Sequence, residues 1–173
     1  KVLENDSKLT FYWTFLSGTH EKKGITLYHH DKQRSGIVVE RFLGDYTGYV
    51  HCDMWSAYRQ LDKAQLVGCW AHVRRKFFEA TPKKTDKTSL GAKGLAYCDR
   101  LFTLENDWAD LSTEERLHKR QTELAPLMDE FFGWCRNQAV LPGSKLGTAI
   151  EYSLNYETTF RTVLSDGDLV LSN

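Results

Sequence analysis

No two cysteines in this chain are separated by two residues, and the four it has, Cys52, Cys69, Cys98 and Cys135, stand at long, irregular intervals. With no export signal at the start, that usage predicts free thiols in a reducing cytoplasm rather than a disulfide scaffold. No apolar run approaches the ~20 residues that a membrane-spanning helix needs. Neither sign of charge dominates, because 23 basic residues meet 23 acidic ones. A globally basic nucleic-acid binder is therefore excluded, and any such surface must be local. Internal repeats and low-complexity stretches are also missing. What remains is a chain of 173 residues, 41% apolar, within the roughly 100–200 residues of one packed domain. It opens on Lys1 and closes on Asn173, which reads as an excised piece of a longer protein.

The first half is strand-rich. Residues 9–17, LTFYWTFLS, are aromatic and β-branched and predict a largely buried strand. Turn formers precede it at 4–8, so residues 1–4 read as the tail of an earlier strand. A polar turn leads to a third strand at 24–29, and short connections predict an antiparallel meander. Ser35 offers a helix cap before residues 36–43, with Ile37, Val38, Arg41 and Phe42 at helical spacing. A fourth strand at 49–53, a short helix at 56–61 and a fifth strand at 65–70 complete a β-β-β-α-β-α-β order, with the last two strands parallel.

The second half is helical. Helices are predicted at 71–80, closed by Thr81-Pro82, and at 90–108. A capping box, Ser112 to Glu115, opens another that runs to about residue 139 and that Pro126 must kink or divide. A last long helix spans 144–164, with Leu146, Ile150, Leu154 and Phe160 on one stripe.

Three clusters could carry chemistry. Asp53 ends an apolar strand, where it reads either as a helix cap or as a metal ligand at the carboxyl rim of a sheet. Cys69 and His72 lie at and just past the end of the neighbouring strand, so parallel pairing would bring all three to one rim. On the residues alone the favoured reading is a buried thiol near a strand end and a surface histidine on the first turn of a helix; a zinc site with His51 and Cys52 is disfavoured because strand neighbours point to opposite faces. Arg74, Arg75 and Lys76 form a basic run that is either a solvated helix face or a phosphate contact. Lys32 and Arg34 make a weaker second cluster. Trp13 and Trp70 read as core, and Trp55 as core or as a base-stacking group.

The strings GYVHCDMWSAY (48–58) and VGCWAHVRRKFFEA (67–80) resemble transposases of the bacterial insertion-sequence-66 family, and the similarity extends through residues 143–173. The resemblance implies a ribonuclease-H-like α/β core of the Asp-Asp-Glu type: an antiparallel meander plus parallel strands in a mixed sheet, with a helical insertion after strand five. Residues 1–80 would be a partial core lacking most of strand one, 81–142 the insertion, and 143–173 the lead into an absent glutamate segment. Asp53 matches the second acid. The first would lie just before Lys1, and the glutamate a few residues beyond a pair of asparagines of which Asn173 is the first. Neither Asp6 nor Asp31, both read as loop residues, substitutes.

The family chemistry is cleavage and strand transfer of double-stranded DNA at transposon ends, with Mg²⁺ or Mn²⁺ as cofactor in the whole protein and none expected on this segment alone. Asp53 would be catalytic and a metal ligand; His72 would stand near the scissile phosphate with Cys69 packed beneath it. Arg74, Arg75, Lys76, Lys32 and Arg34 would contact DNA. Self-association is expected, a membrane partner is not, and the location would be cytoplasmic, at the nucleoid. Two alternatives remain: a non-catalytic DNA-binding or assembly module, and a ribonuclease-H-like nuclease or resolvase.

Overall fold

A computed structural model describes residues 2–3, by backbone alone, together with 9–82 and 87–173. The turn predicted at 4–8, with Asp6, and much of the loop after Pro82 lie outside the described residues. Strands β1 (Val2–Leu3), β2 (Leu9–Leu16) and β3 (Thr26–Asp31) form the expected antiparallel meander. Leu3 pairs with Leu9, and the second ladder runs from Phe11–Asp31 to Leu16–Thr26.

The prediction that β2 is largely buried is wrong. Phe11, Trp13 and Phe15 are half-buried, whereas Tyr12, Thr14 and Leu16 are exposed. Successive strand side chains face opposite ways, and one face is covered by α1 (Gly36–Leu43) through Phe42, whose ring lies 5.1 Å from Phe15 and 5.0 Å from His29. Aromatic residues on both faces hid the alternation. Ser35 caps α1 as predicted, its Oγ accepting from the Ile37 N–H. The helix turns Val38 and Val39 inward and leaves Ile37 63% exposed, so Ile37 does not belong to the inward stripe.

Strands β4 (Tyr49–Cys52) and β5 (Gln65–Gly68) form a separate two-stranded sheet. The Gln65 N–H donates to the Gly48 carbonyl and the Cys69 N–H to the Cys52 carbonyl. Both partners advance in the same direction, so the pair is parallel. Contacts group the chain into two units, residues 1–49 with 55–65 and residues 50–54 with 66–173. In the first, a 3₁₀ turn at Ser56–Gln60 follows Trp55, which packs against Trp13 at 5.7 Å.

The second unit is built on α2 (Trp70–Ala80), α3 (Leu90–Asp107), α4 (Thr113–Lys119), α5 (Ala125–Arg136), α6 (Lys145–Asn155) and α7 (Glu157–Arg161). Trp70 opens α2 rather than ending β5. Its indole is fully buried among Phe131, Phe132 and Phe160, at ring separations of 5.3–5.8 Å. Its ring N–H donates to the Phe160 carbonyl at 3.1 Å, so the aromatic cluster keeps its polar atom satisfied. Gly94 lets α3 approach α2 closely, because a Cβ there would lie 2.2 Å from the Phe77 ring.

The capping box forms as read: Ser112 Oγ accepts from the Glu115 N–H, and Glu115 accepts from the Ser112 N–H. Pro126 divides the predicted helix, with a π-helical turn at Arg120–Leu124 directly before α5. The predicted last helix is also divided, at Tyr156 (φ −119°, ψ 19°), and ends in a 3₁₀ turn at Thr162–Ser165. Among the described residues no helix is long and apolar enough to cross a membrane.

Candidate functional site

The rim predicted from the sequence begins where β4 stops. Asp53 is the next residue, and Met54 after it has φ 62°. A residue with a Cβ pays about 1–2 kcal/mol to occupy this left-handed region, so the chain bends sharply behind the acid at a cost that packing must offset. Met54 is buried, and the Cys52 thiol approaches its sulfur at 3.6 Å. The cap reading of Asp53 fails, because the following 3₁₀ turn starts at Ser56, with Trp55 in the cap position and no side-chain cap bond.

At the end of β5, Cys69 precedes α2 and is 1% exposed. Its N–H holds the two strand ends together through the Cys52 carbonyl at 3.1 Å. Its thiol faces the Ser172 hydroxyl at 3.7 Å. His72, half-buried, lies in the first turn of α2. Burial, then the Arg75 charge, holds its pKa below the ordinary 6.5, while the Asp53 carboxylate opposes that shift. The imidazole is therefore neutral near pH 7, and its Nδ1 is buried with no hydrogen-bond partner.

Among the described residues no three His, Cys, Asp or Glu side chains come together as a metal site. The zinc arrangement with His51, Cys52, Cys69 and His72 is therefore not formed. All four cysteines are buried free thiols. Burial pushes Cys52 up to about 11, which keeps it protonated and a poor metal ligand. His51 is likewise held below its ordinary pKa, by burial and then by the Arg120 charge.

One group at this rim, Tyr152, escaped the sequence reading, and Lys76, read as a DNA contact, has a protein partner there. The Tyr152 phenol, on α6, donates to the Asp53 carbonyl at 3.1 Å. The Lys76 ammonium, on α2, lies 4.7 Å from the centre of the Tyr152 ring. Residues 53 and 152 are 99 positions apart, and no local signal links them. Of the basic run, Arg74 is paired with Asp99 at 2.6 Å, Arg75 is exposed, and Lys76 is half-buried over that ring. Lys32 and Arg34 are exposed in the connection between β3 and α1. The Arg34 guanidinium sits 4.4 Å from the centre of the half-buried Trp55 ring. Asp31 ends β3 and accepts from the Gln33 N–H, a bond that holds its carboxyl below the usual range.

A buried arginine secures the segment that borders the rim. Arg120, 0% exposed, binds both carboxylate oxygens of Glu105, at 2.6 and 2.7 Å. It also donates to the carbonyls of Val163, Asp166 and Leu169. Arg116, four residues earlier, donates to the Gly167 carbonyl, and the Thr113 hydroxyl to Asp168. The segment then reaches the start of α2, where the Trp70 N–H donates to the Leu171 carbonyl at 2.8 Å. In sequence, Arg120 looks like one more charge on a solvated helix, since nothing near it marks a partner 43–49 residues away.

A family model described as "Transposase IS66 family" matches residues 1–173. The chain belongs to the IS66 transposase family. Among curated relatives it is 27% identical to the uncharacterized protein y4hP of Sinorhizobium fredii, over 93% of this chain and 33% of that protein. It is also 27% identical to the uncharacterized protein y4qI of the same organism, over 86% of this chain and 30% of that protein. The chain thus spans about a third of the length of the relatives it matches. No solved structure matches it significantly.

Proposed function

We propose that this IS66-family segment is part of a ribonuclease-H-like catalytic core that performs metal-dependent phosphoryl transfer on DNA at transposon ends. The observation that carries the reading is the placement of Asp53: an acid at the end of β4, beside a parallel strand whose end leads into Cys69 and His72. Open α/β sheets bind ligands outside the carboxyl ends of their strands. Asp53 offers the hard oxygen donor that Mg²⁺ or Mn²⁺ takes, and the buried thiols do not. The described residues bring no three such donors together, and in this reading Asp53 is one carboxylate of a set that the full-length protein completes. Divalent ions held by Asp53 and the other carboxylates would stabilise the attacking and leaving oxygens of the phosphodiester.

The other parts follow from their chemistry. His72, neutral near pH 7, can donate or accept one hydrogen bond at the phosphate without adding charge. Cys69 is a packing group that fixes the first turn of α2. Arg75 is exposed and suits a DNA phosphate; Arg74, also exposed, and Lys76 have protein partners, Asp99 and the Tyr152 ring, and would exchange or share them. Lys32 and Arg34 are candidate backbone contacts on the other unit. Such contacts position DNA without reading sequence. Double-stranded DNA is the proposed partner, with self-association at the paired ends and a location at the bacterial nucleoid.

The test is Asp53→Ala in a full-length family member. Strand cleavage should be lost while transposon-end binding is kept; cleavage at the wild-type rate refutes the assignment. One observation favours a second reading, a DNA-binding or assembly module without chemistry: no three ligand-type side chains converge among the described residues. In that case full-length protein binds end DNA and cleaves none of it, with or without Mg²⁺.

A further inference from the structure

We propose that Tyr152 is a positioning residue for the Asp53 acid, acting through the main chain, and that Lys76 holds its ring in place. The inference rests on the phosphoryl-transfer reading above and names a part of that site to which the family resemblance assigns nothing. Three observations converge on it. The first is the strained turn: Met54 sits at φ 62° immediately behind the acid. A non-glycine residue there persists only when its surroundings over-determine it, and such residues cluster at functional sites.

The second is the bond itself. Of the α6 side chains, the Tyr152 phenol reaches the Asp53 carbonyl at 3.1 Å, and that carbonyl belongs to the peptide unit joining Asp53 to Met54. Fixing its oxygen fixes ψ of the acid and φ of the strained residue together. The third is how the tyrosine is held. Its ring packs on Tyr156 at 5.3 Å and on Phe160 at 5.6 Å, with the Lys76 ammonium 4.7 Å from its centre. Half-buried aromatic packing removes its rotamer freedom, and a cation over the ring face adds attraction.

The consequence is geometric. Metal ligands act within about 0.5 Å of a productive position and rely on supporting bonds to stay there. The acid follows a four-residue strand and stands next to a strained turn, where supporting bonds count. Tyr152 supplies one from a separate helix.

Tyr152→Phe removes only the donor and keeps the ring under Lys76. In this chain, the carbonyl-carbon resonance of Asp53 should move upfield and the Met54 amide should exchange faster, with the melting temperature nearly unchanged. An unmoved Asp53 carbonyl overturns the proposal. In a full-length family member, the same change should raise the Mg²⁺ concentration for half-maximal cleavage about 10-fold or more, the loss seen when outer partners of metal ligands are removed, with end binding retained. A loss of cleavage that tracks a fall in melting temperature, at unchanged Mg²⁺ dependence, means a structural role only and overturns it too. Asp53→Asn separates the two claims. If that variant cleaves normally, the phosphoryl-transfer reading fails, while the carbonyl resonance still decides whether the phenol holds the acid's main chain.

Discussion

Replacing Arg120 by Met should be the most damaging single change in the second unit. Methionine fills the space of the arginine stem and keeps helix propensity, so the loss comes from the guanidinium alone. Five bonds disappear at once, two to Glu105 and three to the carbonyls of Val163, Asp166 and Leu169. Glu105 is 14% exposed at its side chain and would be left charged with little water around it. Breaking a buried pair by removing one partner costs about 3–5 kcal/mol. Each stranded carbonyl adds as much as ~1–3 kcal/mol unless water reaches it. The bonds to Val163 and Leu169 are buried and the one to Asp166 is part-buried, so water reaches those carbonyls only if the segment loosens, and the pair alone sets a lower scale of about 4 kcal/mol. That is a large share of the ~5–15 kcal/mol by which domains are stable.

Urea unfolding of the wild type, Arg120→Met and Arg120→Lys measures it. Lysine keeps the charge but not the planar fork, so it should fall between the other two. The double variant Arg120→Met/Glu105→Leu should recover part of the loss, because no carboxylate is then stranded. An Arg120→Met midpoint equal to wild type, with the same slope, would show that the buried network contributes nothing and refute the reasoning.

Gly94→Ala should destabilise the chain by about 1–3 kcal/mol, since its new methyl would overlap Phe77 in the α2–α3 contact; thermal melting reads this, and an unchanged melting temperature would mean that the helices separate freely. Stability should fall on acidification below about pH 6.5, the ordinary histidine value. The folded-state pKa values of His51 and His72 are depressed, so below 6.5 the unfolded chain binds more protons. The pair His51→Gln/His72→Gln should flatten urea midpoints between pH 7 and 5, and an unaltered slope would assign it elsewhere; depressed carboxylates such as Asp31 act only nearer pH 4. The cysteines should resist aromatic disulfide reagents until the chain unfolds, because the reactive species is the thiolate. With Cys52 at about 11 and Cys135 at about 12, a stoichiometric reaction within seconds at pH 8 would contradict the burial.

How far the sequence carries depends on how local the deciding interaction is. The Ser35 cap, the Ser112–Glu115 box and the break at Pro126 are settled within a few residues, and the structure has all three. The meander and the parallel β4–β5 pair were legible from connection length, as was the placement of Asp53 and Cys69 directly after adjacent strands. Longer-range facts were not. The exposure of Tyr12 and Leu16 depends on α1 covering only one face of β2. The division of the last helix at Tyr156 has no proline or glycine to announce it. Arg120 reads as a surface charge because its partners arrive from residues 105 and 163–169, and Lys76 reads as a free DNA contact because Tyr152 is far along the chain.

The same separation has a temporal side. The hydroxyl that steadies residue 53 and the carbonyl that meets the Trp70 amide lie 99 and 101 positions downstream of their partners. A ribosome adding ~5–20 residues per second needs roughly 5–20 s to cover that distance. During that interval the nascent chain carries the acid without its brace, and the arrangement falls into place only when synthesis of the helical half is nearly done.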